Sequence, residues 1–387
     1  MQRRPMPVRP DLDERARSLG FTFHRLDGAV YWDENAAYVF TLREIENDLE
    51  APTAELAAMC LELADRVVAS EELMRRLKVP EHAWDLIAAS WRRRDLSLYG
   101  RFDLAYSGEG PAKLLEYNAD TPTSLYEAAV FQWFWLEDLK RTGVLPAEAD
   151  QFNALHERLI ERLRAISAGL PLMLHFACMR ESAEDRGTVE YLRDCAMQAD
   201  LRTKHLGIAD VGLRGDVFVD LEGERIRRLF KLYPWEWMLA EPFGRAKAMR
   251  HTRFLEPPWK AVLSTKGILP LLWELAPGHP NLLPAYFEDD PRRSGLGAQV
   301  VRKPLYSREG ANVEIRDGTA VAASTGGTYG AEGHVLQALA PLRAFDGNIP
   351  VIGSWIVGDA ACGIGIREDT SPITGDGSRF VPHVILG

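Results

Sequence analysis

Two short segments near residue 100 alternate apolar residues with charged or polar ones. Asp103 lies between two apolar residues, and Glu116 lies between Leu115 and Tyr117. Strict alternation is typical of a half-buried β-strand with one face toward the core. The glycine-containing stretch SGEGP separates the segments, so the pattern predicts two strands joined by a turn. Both carboxylates would then project from the polar face of the pair.

Longer segments repeat apolar residues at the spacing of an amphipathic helix. Such helices are predicted at 51–77, 82–94, 126–139, 148–168, 188–199 and 267–275. The near-continuous apolar run at 170–178 has the length of a buried strand, and the helix that follows it indicates an α/β crossover. Further strands are predicted at 208–219, 225–232 and 300–305, and the C-terminal segment alternates apolar strands with glycine turns. The chain therefore predicts an α+β (mixed α/β) fold.

Length and composition limit the class of protein. A chain of 387 residues exceeds the size of a single core, so closely connected lobes are expected. Hydrophobic residues make up 46% of the chain, and the net charge of -10 argues against a nucleic-acid-binding surface. The sequence shows neither a signal-peptide pattern nor a long apolar run, which predicts a cytoplasmic protein without a membrane partner. Its four cysteines form no CxxC pair and are interpreted as buried hydrophobes.

The predicted strand pair carries the residue types of a metal and anion site. Asp103, Glu116 and the Asn118 amide provide hard oxygen ligands, which suit Mg²⁺ held together with substrate phosphates. The stretch from Asp120 to Ser124 then offers hydroxyls and backbone amides ahead of a helix, where anions bind readily. The alternative is a hairpin with a solvated, charged face followed by a capped helix. The grouping of so many such residues favours a functional site.

Two further segments carry residues suited to phosphate. The strand that holds Lys303 runs into the polar loop 306–313, whose backbone amides can fold over phosphates while the lysine binds their oxygens. A simple hairpin turn is the alternative for this loop. Lys266, ahead of an apolar helix, is a second candidate phosphate ligand, although lysines at helix starts are commonly exposed. Arg367 could stabilise a charged transition state or could pair with the acidic residues that follow it.

The order of these motifs resembles that of a known family. The similar motifs are LLEYNADTPTSLYEA, FKLYPWEWM, RKPLYSREGANV, GSWIVGD and GIGIRED followed by SRFVPH. They resemble the synthetase domain of the glutathionylspermidine synthase and trypanothione synthetase family, above all its stand-alone bacterial branch without the amidase domain. This resemblance implies an ATP-grasp fold with an α/β pre-ATP-grasp region, in one synthetase module over 1–387. Its expected parts are an N-terminal helical and α/β lobe at 1–100, a substrate- and Mg²⁺-binding region at 101–220, and a nucleotide-binding region at 221–387 with a lid at 304–313.

The resemblance also implies an activity and assigns residues to it. The expected enzyme is an ATP- and Mg²⁺-dependent ligase that joins a carboxylate to an amine through an acyl phosphate. Arg101 and Arg367 match the arginines that act on the transferred phosphoryl group. Asp103, Glu116 and Asn118 match the Mg²⁺ ligands. The other matched residues are those of the ATP site (Lys266, Lys303, Ser307, Arg308, Glu309, Gly310, Ala311 and Asn312) and those of the substrate site (Asp120, Thr121, Thr123, Ser124 and Glu190).

One position departs from the family pattern. Leu232 stands where members that use glutathione have a threonine in contact with the substrate, and a leucine cannot form that hydrogen bond. We therefore expect a peptide or small acid and an amine or polyamine, without assigning glutathione. Two other functions remain open, namely a catalytically silent homologue that binds a nucleotide or peptide, and a kinase that acts on a small molecule. The complete set of metal and phosphate residues argues against the silent homologue.

Overall fold

Two antiparallel sheets carry the predicted strand pair and the strand of Lys303. The computed structural model describes residues 1–26, 28–171, 173–375 and 377–387. One antiparallel sheet, here called the carboxylate sheet, has the strand order Arg379–Val381, Ala360–Asp369, Ile349–Val357, Tyr99–Ala105 and Lys113–Asn118. Another, here called the lysine sheet, has the order Ala285–Phe287, His334–Ala338, Gln299–Pro304, Glu314–Asp317 and Ala320–Ser324. The predicted strand pair is thus confirmed, and it lies beside strands from the C-terminus.

A parallel sheet forms the α/β part of the molecule. Its strand order is Arg253–Leu255, Arg228–Leu232, Met173–Cys178 and Arg202–Gly207. The helix Ala183–Gln198 connects two of these strands, which confirms the predicted α/β crossover. Smaller units are the sheet of Gln2–Pro5, Ala36–Phe40 and His383–Ile385, and the hairpins Arg25–Leu26 with Ala29–Val30 and Gly212–Arg214 with Val217–Val219.

Helices cover the sheets. The other α-helices are Leu12–Ser18, Ala51–Val68, Glu71–Arg76, Trp84–Arg92, Gln132–Arg141, Leu155–Ser167, Trp235–Ala240 and Ile268–Leu275. π-Helical segments at Glu44–Glu50 and Glu127–Phe131 lead into two of them, and 3₁₀ turns lie at Glu81–Ala83, Ile208–Asp210, Pro242–Arg245, Lys247–Arg250, Pro258–Val262 and Pro291–Leu296. Within the described ranges, no helix combines the length and the apolar character needed to cross a bilayer.

Several predicted helix bounds are corrected by the structure. The helix predicted over 51–77 is interrupted at Ser70, whose side chain accepts a hydrogen bond from the Leu73 amide and caps a new helix. The helix predicted from residue 148 begins only at Leu155, because Asp150 forms a β-bridge with Ile385. At Ser70 a local cap ends the predicted helix, and at Asp150 a bridge to a distant part of the chain delays its start, although the apolar periodicity continues through both places.

Two predictions around the parallel sheet are also wrong in detail. The continuous strand predicted over 208–219 is a 3₁₀ turn followed by a hairpin, with Gly215 in its turn at a φ of +60°. The helix predicted from Thr188 begins at Ala183, because the Ser182 hydroxyl accepts a hydrogen bond from the Asp185 amide and caps it earlier.

The hydrophobic core explains which face of the carboxylate sheet is open. Phe102 and Leu104 pack into a core shared with the helix Ala51–Val68. A separate core lies around Trp135 and Trp355. All four cysteines are buried, as their surroundings in the sequence predict. Successive side chains of a strand point to opposite faces of the sheet. Asp103, between Phe102 and Leu104, therefore points toward a cleft.

Candidate active site

Charged side chains form a patch on one face of the carboxylate sheet. Asp103 is the direct cross-strand partner of Glu116, and Arg101 is the partner of Asn118. Residues two apart in a strand and residues opposite each other in an antiparallel pair share a face, so these side chains project together. Two carboxylates placed opposite each other repel, which requires cations beside them.

Arg101 supplies the cation for Asp103. Its Nε and Nη2 donate to the two carboxylate oxygens at 2.6 and 2.9 Å, and its Nη1 donates to the Thr123 carbonyl at 2.6 Å. Gly353 lies opposite Asp103 on the next strand, where a Cβ would come within 2.7 Å of the Arg101 Cδ. Glycine therefore leaves the space in which the arginine lies. Burial raises the pKa of Asp103, although the Arg101 charge opposes this.

Lys266 supplies the cation for Glu116. It precedes the helix Ile268–Leu275, forms an ion pair with Glu116 at 2.9 Å, and donates to the Ser307 carbonyl at 2.9 Å. Burial opposes ionisation of Glu116, but the charges of Lys266 and Lys303 lower its pKa to about 2. Glu116 is therefore ionised and bound to a cation at neutral pH.

Lys303 of the lysine sheet lines the same pocket as Glu116. Its Nζ donates to the Leu115 carbonyl and to Gln337 Oε1, both at 2.8 Å. Burial lowers the pKa of Lys303 to about 8, although the Glu116 charge opposes this. Because its two acceptors are uncharged, this ammonium group retains its attraction for an anion.

The carboxylate pair suits a divalent metal ion that is shared with a phosphate. Asn118 Nδ2 donates to Asp103 at 3.1 Å and lies 3.4 Å from Glu116, so the three side chains are gathered in one place. Among the described residues, no three or more His, Cys, Asp or Glu side chains are grouped so that they alone could hold a metal. Mg²⁺ typically uses one or two carboxylates and completes its shell with water and phosphate oxygens. The donor set therefore fits Mg²⁺ that arrives with a nucleotide.

A polar cleft with an empty volume of about 900 Å³ opens above the patch. The sequence-predicted residues that line it are Arg101, Asp103, Glu116, Asn118, Asp120, Thr121, Thr123, Lys266, Ser307, Arg308, Glu309, Gly310 and Arg367. Glu236, Ser264, Thr265 and Thr374 also line it, and sequence reasoning missed them. Glu236 stands in the FKLYPWEWM motif, which was the available signal for it.

An apolar pocket with an empty volume of about 700 Å³ adjoins the cleft between the two antiparallel sheets. Leu115 and Val351 of the carboxylate sheet line it, together with Val301 and residues 337–340 of the lysine sheet and the segment after it. Glu116 and Lys303 also line this pocket, so it combines apolar walls with charges. Such a combination is typical of a small-molecule site.

The loop 305–313 forms part of the cleft wall. Arg308 donates to Thr121 Oγ1 at 2.6 Å and to Glu236 Oε1 at 2.9 Å. Gly310 has a φ of +68°, and a Cβ there would clash with the Thr374 carbonyl. Ser307 to Gly310 line the cleft, whereas Ala311 and Asn312 are not among the described residues that line it. The Asn312 side chain instead binds the Tyr329 amide and the Gly327 carbonyl.

Arg367 lies on the same side of the carboxylate sheet and lines both the polar cleft and a smaller cleft of about 300 Å³. Its guanidinium donates to the Gly375 carbonyl. The neighbouring Glu368 instead pairs with Arg3 and Arg379, both at 2.9 Å. Consecutive residues of a strand point to opposite faces, which separates Arg367 from the carboxylate beside it in sequence.

Comparison with known proteins agrees with this architecture. A family described as glutathionylspermidine synthase preATP-grasp matches residues 3–386. The chain belongs to this family. A putative acid–amine ligase of Haemophilus influenzae is 43% identical to this family member, over 98% of each chain.

Two other relatives are longer than the matched region. Trypanothione synthetase of Crithidia fasciculata is 32% identical over 83% of this chain and 52% of that protein. The bifunctional glutathionylspermidine synthetase/amidase of Escherichia coli is 25% identical over 97% of this chain and 63% of that protein. A glutathione synthetase-like effector of Globodera pallida, solved in its apo form, has a TM-score of 0.55 at 10% identity and covers 98% of both chains, which shows the ATP-grasp type of fold. This glutathionylspermidine synthase family member is an ATP-dependent acid–amine ligase.

Besides Thr121, three more predicted substrate residues of this family member have protein partners. Asp120 accepts hydrogen bonds from Lys231 at 2.7 Å and from the Trp235 amide at 2.8 Å, so both carboxylate oxygens hold the loop in place. Ser124 Oγ lies 3.0 Å from the hydroxyl oxygen of the buried Tyr31. Glu190 lies on the helix Ala183–Gln198, where it pairs with two arginines of that helix, and it is outside the described lining of the cleft. The structure thus does not bring Glu190 to the polar cleft.

An acidic residue nearer the loop was missed by sequence reasoning. Asp185 lies in the first turn of the same helix. Burial raises its pKa to about 6, while the Arg308 charge opposes this and the Glu309 charge adds to it. The ESAED stretch around Asp185 is the signal that could have pointed to it. Leu232, which departs from the family pattern, is 4% exposed and packs in the core.

Proposed function

We propose that the protein phosphorylates a substrate carboxylate with MgATP and transfers the resulting acyl group to an amine. In the first step a carboxylate oxygen bonds to the γ-phosphorus and ADP leaves. In the second step the amine nitrogen bonds to the acyl carbon, phosphate leaves, and the nitrogen loses one proton. The observation that carries the proposal is that an apolar pocket and a polar cleft adjoin at Asp103, Glu116 and Lys266, which line both.

The apolar pocket is the proposed site of the adenine ring. Its walls come from both antiparallel sheets, and Lys303 and Lys266 lie where the nucleotide phosphates would extend toward the cleft. Asp103, Glu116 and Asn118 are the proposed Mg²⁺ ligands. A bound Mg²⁺ ion would neutralise charge on the phosphate oxygens. The loop 305–313 would shield the phosphates from water, because Arg308 already ties it to Thr121 and Glu236.

Arg101 and Arg367 are the proposed catalytic residues. Both line the polar cleft and the smaller cleft beside it, so their guanidinium groups flank the place where a phosphoryl group would be transferred. Positive charge held in advance at that place stabilises the transition state without reorganisation. Arg101 is fixed by Asp103 and the Thr123 carbonyl, which is the structural basis of that preorganisation.

The substrates are proposed as a peptide or small acid and an amine of the polyamine type. The Thr121 and Thr123 hydroxyls lie on the cleft wall beside the arginines and suit a carboxylate. Glu236 on the cleft wall, together with Asp185 near the loop, suits a cationic amine. The names of the relatives indicate synthesis of trypanothione and of glutathionylspermidine by those proteins. Leu232 packs in the core outside the described cleft lining, so glutathione stays in the panel of acids to be tested.

Product analysis tests this proposal. Purified protein is incubated with ATP, Mg²⁺, a panel of acids that includes glutathione, and a panel of amines that includes spermidine. We expect ADP release that requires an acid, an amide product detected by mass spectrometry, and loss of both when EDTA removes Mg²⁺. The variant Asp103→Asn should lower ADP release at least about 100-fold, because it removes a Mg²⁺ ligand and the partner of Arg101.

Other outcomes would identify another function. A stable phosphorylated acid that accumulates and never reacts with an amine would identify a kinase. Absence of nucleotide binding by calorimetry would contradict the proposal altogether.

A further inference from the structure

Three side chains form a buried hydrogen-bonded chain behind the smaller cleft. Ser124 Oγ lies 3.0 Å from Tyr31 Oη, and Tyr31 donates to Glu127 Oε1 at 2.6 Å. Tyr31 is 3% exposed and Glu127 is fully buried. Because the one hydroxyl proton of Tyr31 is given to Glu127, the Ser124 hydroxyl donates to Tyr31. Among the described residues Ser124 Oγ has no other hydrogen-bond partner, so its lone pairs remain at the outer end of the chain.

The outer end of this chain faces the arginines. Ser124 lines the cleft of about 300 Å³ together with Arg101, Arg367 and Asp103. Ser124 also has a φ of +65°, a left-handed conformation that is strained for a residue with a side chain. Such strain persists where the surrounding structure imposes it, and it commonly marks a functional position.

The inner end has capacity for a proton. Within the described part of the chain, Glu127 Oε2 is buried and accepts no hydrogen bond. Burial raises the pKa of Glu127, whereas the Tyr31 hydrogen bond and the charges of Arg367 and Arg101 oppose this. A carboxylate with a raised pKa binds a proton more readily, and the unpartnered Oε2 leaves room for that proton.

Three carboxylates on the wall of the main cleft are already paired with cationic side chains. Asp103 is paired with Arg101, Glu116 with Lys266, and Glu236 with Arg308. An ion pair lowers the affinity of a carboxylate for a proton, and in Asp103 it opposes the rise in pKa that burial causes. The second step of the proposed ligation nevertheless needs a proton acceptor, because the amine nitrogen loses a proton when it becomes an amide.

We propose that Ser124 takes the proton of the attacking amine and passes it through Tyr31 to Glu127. This inference rests on the proposed ligase function. While the nitrogen–carbon bond forms, the nitrogen proton moves to Ser124 Oγ, the Ser124 proton to Tyr31 Oη, and the Tyr31 proton to Glu127 Oε1. The carbon–oxygen bond to phosphate breaks, and phosphate leaves with the electron pair. The proton then returns along the same chain to the phosphate, so the products are the amide and hydrogen phosphate.

This proton transfer would also assist the leaving group. Protonated Glu127 is neutral, so its negative charge no longer offsets the positive charges of Arg101 and Arg367. The field that these arginines exert on the departing phosphate becomes stronger at the moment when the phosphate gains charge. Ser124 is the catalytic residue of the chain, and Tyr31 and Glu127 act through it.

The test compares two nucleophiles in the same variants. Hydroxylamine is weakly basic and traps acyl phosphates as hydroxamates, so its reaction depends less on a proton acceptor than that of spermidine. The acid is the member of the panel above that gives the fastest ADP release. In Tyr31→Phe, Glu127→Gln and Ser124→Ala we expect amide formation with spermidine to fall about 100-fold, the usual contribution of general base catalysis. Hydroxamate formation should stay within about threefold of the unsubstituted protein.

A matched control is Tyr126→Phe. Tyr126 directly precedes the π-helical segment Glu127–Phe131. Its hydroxyl donates to the Leu19 carbonyl and takes no part in the hydrogen-bonded chain of Ser124, Tyr31 and Glu127. We expect this variant to keep both rates. Thermal unfolding and circular dichroism verify folding, and Ser124→Ala leaves the buried Tyr31–Glu127 pair intact if the other variants unfold.

The outcomes separate this inference from the ligase proposal. A parallel loss of amide and hydroxamate would assign the three residues to the first step or to the fold and overturn the proton chain. Unchanged amide formation in all three variants would overturn it as well. If the unsubstituted protein forms neither ADP nor hydroxamate with any acid, the ligase proposal itself fails, and the proton chain fails with it.

Discussion

Ion pairs at the scale of single residues set the protonation of the candidate site. Asp103 and Glu116 face each other across two strands, and each is matched by its own cation. Lys303 differs because its partners are the uncharged oxygens of Leu115 and Gln337. Its pKa is therefore governed by burial and lies at about 8, close enough to neutrality for pH to control its charge.

We expect nucleotide affinity to fall as the pH rises through about 8. The protonated form of Lys303 attracts phosphate, and its folded-state pKa is lowered, so the charge is present below that pH and lost above it. The dissociation constant of a non-hydrolysable ATP analogue should increase roughly tenfold between pH 7 and pH 9. Calorimetry measures this, with Lys303→Arg as the control because arginine stays protonated. Equal pH slopes in the two proteins would contradict the prediction.

Strand register and loop contacts decide, at the scale of elements, whether the residues meet. Gly353 stands opposite Asp103 in the carboxylate sheet, and its missing side chain leaves space for Arg101. The loop after the strand Gln299–Pro304 is tied down by Arg308. Each feature depends on a single residue, Gly353 in its strand and Arg308 in its loop.

Gly353→Ala should displace Arg101 from Asp103. The new Cβ would lie 2.7 Å from the Arg101 Cδ. The arginine has little freedom to move away, because its guanidinium group is held by Asp103 and by the Thr123 carbonyl. We expect turnover to fall roughly 100-fold, since small misplacements of a catalytic group have effects of this size. Gly295→Ala is the control because an added Cβ there meets no atom within 4 Å. Steady-state kinetics and thermal unfolding of both variants test this, and equal turnover would refute it.

Arg308→Gln should loosen the loop 305–313. The variant loses charge-assisted hydrogen bonds to Thr121 and Glu236, each of which is typically worth about 1.5–3 kcal/mol. We expect faster amide hydrogen exchange across the loop and a KM for ATP that is roughly tenfold higher. Arg302→Gln is the control, since Arg302 pairs with Glu288 and does not line the cleft. Unchanged exchange in Arg308→Gln would show that the loop is held by other contacts.

Buried ion pairs connect the sheets at the scale of the whole molecule. Lys231 of the parallel sheet pairs with Asp120 at the end of the carboxylate sheet at 2.7 Å. Lys260 lies 3.6 Å from Glu256 and donates to the Tyr99 carbonyl at 3.0 Å. These pairs fix the position of the candidate site relative to the α/β part. Burial raises the pKa of Glu256 to about 7, although the Lys260 charge opposes this.

Glu256 should make the free energy of unfolding depend on pH. A carboxyl whose folded-state pKa is raised contributes stability that is present below its ordinary pKa and is lost as the pH rises through about 7. The stability of Glu256→Gln relative to the unsubstituted protein should therefore increase by about 3 kcal/mol between pH 4.5 and pH 8. Urea unfolding at several pH values measures this difference, with the exposed Glu62→Gln as the control. Parallel stability curves for Glu256→Gln and the unsubstituted protein would contradict the assignment.

The sequence by itself determined the features that depend on neighbouring residues. Alternation around Asp103 and Glu116 predicted a strand pair and its polar face, because the period of a strand is a local property. The order of motifs predicted the family and its fold. Local patterns failed where another local contact intervened, as at Ser70, where a capping hydroxyl starts a new helix within an unbroken apolar periodicity.

Only the tertiary structure decided which residues share a cavity. It gathers Lys266, Lys303 and Arg367 around the strand pair, and it leaves Glu190 outside the described cleft lining. It also joins Tyr31 to Glu127, which lie 96 positions apart and carry no common motif. The physical reason is that packing, not chain order, sets the distances between side chains of different elements. Charge pairing, burial and pKa follow from those distances and could not be predicted from the sequence.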